Sequence, residues 1–415
     1  MPPHHPPPPQ IPGILVEDRE KATKLKEHVA NLCHVDNLRF IGSQPVSFGS
    51  RDLARLERED YWVCEKSDGI RVLVLIVTFP SNDQEVYLID RKNNYRQQDG
   101  LFFPHYTDPR RPLGNTLLDA ELVVDYDPQT GQETLNLLAF DCMVGDFQNL
   151  MSKSLTSRYG RLREWVGRPY NTMLKEIPTM KDRQPFGFQV KEMARSYSVE
   201  AVLTQTIPAL KHGNDGLIFT CAESGYVIGT DQRILKWKPP SENSIDFKLE
   251  LRFPPLAGHP EEPDYTAKPV FQLLVWTGGK SYEHFDTMVV DDAQWENWKA
   301  SGEQYDDRVV EVTWDSANQN WLWHRFRDDK EHGNHQSVVN NILESIQDGV
   351  EADQLISHAN TIRSNWKERE KAAASAASQP HHLPPHAHGH GPPGHYGAPG
   401  YGSHGGPAFV AGLRR

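Results

Sequence analysis

Cysteine is scarce in this 415-residue chain: Cys33, Cys64, Cys142 and Cys221 lie far apart, and none forms a C-x-x-C pair. That spacing excludes a zinc ribbon and a disulfide framework, and leaves buried thiols in a reducing compartment. Long apolar runs are missing too. No stretch approaches the ~20 residues that a membrane-spanning helix needs, so no membrane partner is expected. The opening "MPPHHPPPPQ" has neither an apolar segment nor a cleavage-like site, so no secretory signal is expected. Positive charge is not in excess either. Lys and Arg number 44 against 56 Asp and Glu, a formal net charge of −12. A polyanion must therefore be held by a local basic cleft, not by the field of the whole molecule.

What is present is a globular composition, 37% hydrophobic and 10% aromatic, with length enough for two domains. Residues 1–12 are Pro/His-rich and residues 372–415 His/Gly/Pro-rich, and both read as disordered ends. "EDREKATKLKEHVANLC" has a helical pattern, "SQPVSF" reads as a turn and a short strand, and "SRDLARLERED" as a helix with Ser50 as its N-cap. From Tyr61 onward, "RVLVLIVTF", "EVYLIDRK", "TLLDAELVVDY", "TLNLLAFDCM", "PFGFQVKEM", "DGLIFTCA" and "RILKWKPP" are short β-type runs separated by turn residues. The prolines after Lys238 stop the last of them and mark a joint. This gives a first domain over 13–240 and a second over 241–330. In the second, "IDFKLELRF", "VFQLLVWTGG", "RVVEVTWD" and "NWLWHRFRDD" plus the helix "DDAQWENWKA" fit a small barrel of the OB type. Helices through 331–371, with Val338, Val339, Ile342 and Ile346 at helical spacing, are expected to pack back on the first domain.

The stretch "CEKSDGIRVLVLIV", residues 64–77, places Glu65, Lys66, Asp68 and the turn-forming Gly69 at the mouth of a strand that reads as fully buried. K-x-D-G alone is weak, arising by chance in about one chain in ten of this length. Its chemistry is more pointed. A lysine is a nucleophile only when deprotonated, and neighbouring cations favour its neutral form. Partner groups stand in other strands. Arg91 ends "YLIDR". Asp119 and Glu121 alternate onto one face of a strand that could hold a metal or a ribose hydroxyl. Asp215 and Gly216 repeat the acid-glycine turn, Lys236 and Lys238 share a strand face, and Arg325, Arg327 and Lys330 stand beside Asp328 and Asp329. Each alone reads as the wet side of a strand. Together they would line a shared groove.

The ordered set "EKSDGIR", "YLIDRKNNYR", "TLLDAELVV", "NDGLIFT", "ILKWKPP" and "WLWHRFRDDK" resembles the eukaryotic mRNA guanylyltransferases, in their fungal stand-alone form, over roughly residues 35–350. The resemblance implies an α+β fold: a covalent nucleotidyltransferase domain of ATP-grasp/ligase-like antiparallel sheets, followed by a C-terminal OB fold. It implies that Lys66 attacks the α-phosphate of GTP and that the lysyl-GMP then caps a 5′-diphosphate RNA end as GpppN. Within it, Ser67, Asp68, Gly69, Arg71, Arg91, Glu121, Phe140, Lys191, Asp215, Lys236, Lys238, Arg327, Asp328 and Lys330 would bind GTP. Phe140 would stack on guanine, and Lys191, assisted by Ser67, would meet its O6. Glu121 and Asp215 would hold Mg²⁺ or Mn²⁺.

The implied partners are a separate RNA 5′-triphosphatase subunit, since no cysteine-phosphatase signature is present, and the phosphorylated C-terminal repeats of RNA polymerase II. The implied location is the nucleus. Lys153, Arg158 and Arg163, with Arg161, are candidates for docking those phosphorylated repeats. One departure is Ala120, where the family often has glycine. The alternatives are an ATP-dependent polynucleotide ligase of the same superfamily, separable by labelled ATP against labelled GTP, and a non-catalytic transcription docking module, separable by pyrophosphate release.

Overall fold

The computed structural model describes residues 9–377. Two β-sheets face each other across a groove, and a closed barrel follows them. The first sheet runs in the order β1 (Ile14–Leu15), β6 (Tyr95–Gln98), β5 (Gln84–Ile89), β4 (Ile70–Thr78), β7 (Thr116–Asp127), β8 (Gln132–Gly145) and β10 (Gly187–Val190), with β9 (Gln148–Asn149) against β8. All pairings are antiparallel except β10 on β8. The sheet is covered on both faces, which explains the unbroken apolar run in β4. One face packs on α1 (Arg19–Cys33), through Leu25 and Val29. The other packs on α3 (Leu155–Arg161), a π-helical turn (Leu162–Gly167), α4 (Arg168–Glu176) and the short α5 (Pro178–Lys181). Ala120 lies in that second core with no exposure, so its methyl is accommodated.

The second sheet is β11 (Ala194–Arg195), β3 (Tyr61–Ser67), β12 (Asn214–Cys221), β13 (Gly229–Trp237) and β2 (Ser43–Ser47). Its outer face packs on α2 (Arg51–Arg58), α6 (Val199–Ala201) and the C-terminal α9 (Ala352–Ala377), with Phe48, Leu56, Val199, Leu355 and Ile362 in one core. The barrel closes in the order β14 (Ser244–Arg252), β17 (Val270–Gly278), β18 (Ser281–Val289), β20 (Asn320–Phe326) and β19 (Val309–Asp315). A small hairpin, β15 (Pro255–Leu256) with β16 (His259–Pro263), projects from it. Five antiparallel-rich strands closed on themselves, with α7 (Asp292–Ser301) burying Trp295 and Trp298 against them, form an OB fold. The fold class is therefore α+β, a facing pair of largely antiparallel sheets followed by an OB barrel.

Several expectations need correction. Ser50 does not cap α2: its side chain makes no cap bond, and its hydroxyl instead donates to Asp348 at 2.5 Å. The two C-terminal helices divide their allegiance. Only α9 packs on the sheets; α8 (Gln336–Gln347) packs on the barrel through Val339, Ile342 and Ile346. α9 runs on to Ala377, beyond the expected end of order at 371. At the other terminus Ile11 packs against the core and the Pro12 carbonyl accepts from Gln98 at 2.8 Å, so these two residues are built in. Residues 1–8 and 378–415 of the two proposed disordered ends lie outside the described residues.

The chain crosses between the sheets and the barrel twice, at 238–243 and at 348–351, and the two crossings touch. Trp237 Nε1 donates to the Val350 carbonyl at 2.7 Å, and the Ser241 amide to Glu351 Oε1 at 3.3 Å. All four cysteines are buried and unpaired, and burial pushes the Cys33 and Cys64 thiols up to about 12. Among the described residues no helix is long and apolar enough to cross a membrane.

Candidate active site

Lys66 stands where two cavities meet. The inner one, about 250 Å³, lies between the sheets and is lined by Ser67, Asp68, Gly69, Arg71, Arg91, Glu121, Phe140 and Lys191. The outer one, about 980 Å³, opens toward α8 and is lined by Asp215, Lys236 and Lys238. Lys66 and Ser67, adjacent at the end of β3, both border the inner cavity, and Lys66 alone of the two also borders the outer one. Lys66 Nζ donates to Asp215 Oδ1 across the β3–β12 pair. Two glycines permit this approach. A side chain at Gly69 would collide with the Leu122 carbonyl, and Gly216 holds φ +134° against the Trp237 carbonyl, where no side chain fits.

Behind the inner cavity lie two buried ionic networks. Arg71 donates from Nε to Asp119 Oδ1 at 2.8 Å and from Nη1 to the Ser43 carbonyl. Tyr226 donates to Asp119 Oδ2 at 2.6 Å and accepts from the Ser43 amide at 3.0 Å. The Arg71 guanidinium then rests 5.7 Å from the centre of the half-exposed Phe140 ring. Asp119 is fully buried and fully engaged, so it does not offer its carboxylate to a metal or ribose as its strand position suggested. In the second network Lys191 Nζ lies 2.7 Å from Ser67 Oγ and 3.2 Å from Glu65 Oε1. His212 follows, with Nε2 at 3.8 Å from Glu65 and Nδ1 at 2.7 Å from Asp125.

Burial alone would raise the Glu65 carboxyl; Lys191 and His212 outweigh it and hold it below the usual range. Burial would lower Lys191, but Cys64, Glu65 and Glu121 hold its ammonium above the ordinary value. Glu121 is pushed up, chiefly by burial, despite nearby Lys191 and Lys66. His212 is pushed up to about 9: burial opposes its charge, and Asp125 and Glu65 more than offset that. A base raised on folding contributes stability that is complete below its unfolded value near 6.5 and is lost as pH rises through about 9. His212→Gln should therefore lower the unfolding free energy by up to about 3 kcal/mol at pH 6. The gap to the parent protein should close by pH ~10, followed by urea unfolding at each pH.

Arg327, Asp328 and Lys330 line neither cavity. Arg327 Nη1 lies 3.2 Å from Asp246 on β14, Lys330 donates to the same Asp246, and Asp328 accepts from Arg308 at 2.7 Å. They are paired within the barrel. The docking cluster also changes. Arg158 is 1% exposed and bonds both oxygens of Asp141 at 2.8 Å, together with the Ser224 carbonyl, so it cannot meet a peptide. Lys153 and Arg163 remain exposed. Glu65, His212, Ser43 and Tyr226 carried no assigned role in the sequence reading. Only the i, i+2 pair Glu65–Ser67 hinted at a buried polar face.

Residues 9–240 match the family of the mRNA capping enzyme catalytic domain, and residues 242–356 that of the mRNA capping enzyme C-terminal domain. The mRNA-capping enzyme subunit alpha of Neurospora crassa is 41% identical over 378 residues, 86% of this chain and 93% of that protein. The protein of the same name from Schizosaccharomyces pombe is 40% identical over 371 residues, 88% of this chain and 90% of that protein. The Saccharomyces cerevisiae protein is 34% identical over 415 residues, covering 90% of each chain. Among solved structures, mycobacterial DNA ligase D complexed with ATP and MES overlays at a TM-score of 0.35 with 14% identity, over 70% of this chain and 95% of that one. Matched along both domains, and more than a third identical to these relatives over most of its length, the chain belongs to the mRNA capping enzyme family.

Proposed function

We propose that this nucleotidyltransferase is the guanylyltransferase of cap formation. One observation carries the reading: Lys66 borders both the inner cavity and the Lys236–Lys238 cleft. A nucleoside in the former and a triphosphate in the latter put the α-phosphate at Nζ. The base would stack on Phe140, with Lys191 at its O6, Ser67 assisting by holding that ammonium, and Arg91 near the ribose or a phosphate. Lys66, as a free amine, forms an N–P bond to the α-phosphorus. The α–β bridging P–O bond breaks, pyrophosphate leaves with the electron pair, and the amine's extra proton passes to solvent. In the second half, an oxygen of the RNA 5′-diphosphate forms the new P–O bond, the P–N bond breaks, and Lys66 takes a proton back. Lys236 and Lys238 offset the charge on the α-phosphate, since such transfer is mostly positioning and charge neutralisation. Arg327 and Lys330 would exchange Asp246 for the β/γ-phosphates when the barrel closes, with Asp328 beside them.

Among the described residues no three His, Cys, Asp or Glu side chains cluster for a metal. Glu121 and Asp215 still fit Mg²⁺ or Mn²⁺, because such ions often take one or two carboxylates and complete their shell with substrate phosphates. The ion would supply charge neutralisation on the phosphates. The word "subunit" in the relatives' names supports a partner subunit, in our reading the RNA 5′-triphosphatase. Docking of phosphorylated polymerase repeats at Lys153 and Arg163, and a nuclear location, belong to the same proposal.

The test is incubation with labelled GTP or labelled ATP and a divalent metal, followed by mass mapping. A GMP adduct on Lys66 is expected. An adduct from ATP alone would instead favour the ligase reading.

A further inference from the structure

We propose that Glu65 and His212, which line no part of the reaction centre, set the choice of base by fixing Lys191. This deepens the function proposed above and rests on it. The argument begins with burial. Lys191 is 5% exposed, Glu65 5% and Ser67 4%, in a place where an unpaired ammonium would be costly. Lys191 has three N–H groups and no acceptor. Ser67 Oγ takes one at 2.7 Å, Glu65 Oε1 another at 3.2 Å, and Ser67 in turn donates to Glu65 at 3.4 Å. The triangle closes, and one N–H is left for the cavity that Lys191 lines with Phe140. The Lys191 amide also donates to the Ala139 carbonyl at 2.7 Å, which pins it beside the residue preceding the ring. Stacking ring and donor are thus set by one strand pairing.

A site that only donates accepts a 6-oxo purine and rejects a 6-amino purine, whose own N–H groups would face the ammonium. Glu65 makes this possible by anchoring the ammonium without competing for its third proton. His212 secures Glu65 from behind. Its Nε2 is buried without a hydrogen-bond partner and faces the Glu65 carboxylate at 3.8 Å, and its Nδ1 is tied to Asp125 at 2.7 Å. Asp125 is itself fixed by Asn136 Nδ2 at 2.7 Å. The chain Asp125–His212–Glu65–Lys191 therefore runs from the surface to the face that reads the base. Glu65 and His212 are positioning residues, since neither touches the nucleotide.

The test compares lysyl adduct formation from GTP and from 2-aminopurine riboside triphosphate, which keeps the 2-amino group but lacks the 6-oxo. Glu65→Gln should reduce the ratio of the two kcat/KM values by ~10–100-fold. The loss should fall mainly on KM for GTP, and ITP, which keeps the 6-oxo, should follow GTP. His212→Gln should lower the ratio by about 3–10-fold, and the double variant should fall short of the product of the two single effects, because both act through Lys191. If Glu65→Gln does not fold, the His212→Gln ratio decides. Equal losses for both nucleotides, with the ratio unchanged in a folded variant, would overturn the proposal and mean that the cluster only stabilises. Absence of any GTP adduct in the parent protein would instead remove the guanylyltransferase reading itself.

Discussion

Lys66→Ala protein incubated with GTP and a divalent metal should form no detectable adduct, a loss of at least ~10³-fold. Lys66→Arg should be equally inert. Its guanidinium keeps a positive charge near Asp215 but stays protonated and cannot attack phosphorus. The pair of variants separates charge from nucleophilicity. If positive charge at the junction of the cavities were enough, arginine would retain part of the reaction. Nucleotide binding should survive in both, because the inner cavity is lined mainly by other residues. A GMP adduct on Lys66→Ala protein, located by mass mapping, would refute the assignment of the nucleophile.

The second large effect is on stability, at a residue first taken for part of a docking surface. Arg158→Ala should cost about 3–5 kcal/mol, because Asp141 would be left as a buried carboxylate without its counter-ion. The guanidinium also satisfies the Ser224 carbonyl at 2.8 Å and that of Lys153 at 2.5 Å, tying α3 to β8 and to the loop before β13. Asp141→Asn should be damaging for the mirror reason. Arg163→Glu, on the exposed face, should move stability by less than ~0.5 kcal/mol. Urea unfolding of the three variants checks the contrast, and an unchanged midpoint for Arg158→Ala would contradict the ion pair.

The Arg158 case shows what local pattern can and cannot convey. "TSRYGRLREW" announces a basic helix, but the residue that buries Arg158 sits on a strand 17 positions earlier. Only the fold brings them together. β-branched runs and turn residues made most strands readable, and the barrel was visible as short strands around one helix. Lys66, Glu121, Asp215, Lys236 and Lys238 stood out as charged residues at strand mouths and on strand faces, whereas Phe140 and Lys191 were indicated only by the family resemblance. The buried partners were less readable. Tyr226 lies in a loop, 107 residues from the Asp119 it bonds, and His212 meets Asp125 across 87 residues. Neither spacing leaves a periodic trace. Asp119 and Glu121 share one strand face and both border the cavity, yet the carboxylate of the first is spent on Arg71 and Tyr226, which their spacing alone did not reveal. Ser50 met every local rule for a cap and was drawn away by Asp348, a competitor far along the chain.

The two crossings between the sheets and the barrel lie side by side, stitched by Trp237 to Val350 and by Ser241 to Glu351. A pair of strands fastened together bends more easily than it twists. The closure proposed for Arg327 and Lys330 would then be a swing about this short spine, and a lengthened or severed crossing would blunt its aim while leaving both halves folded.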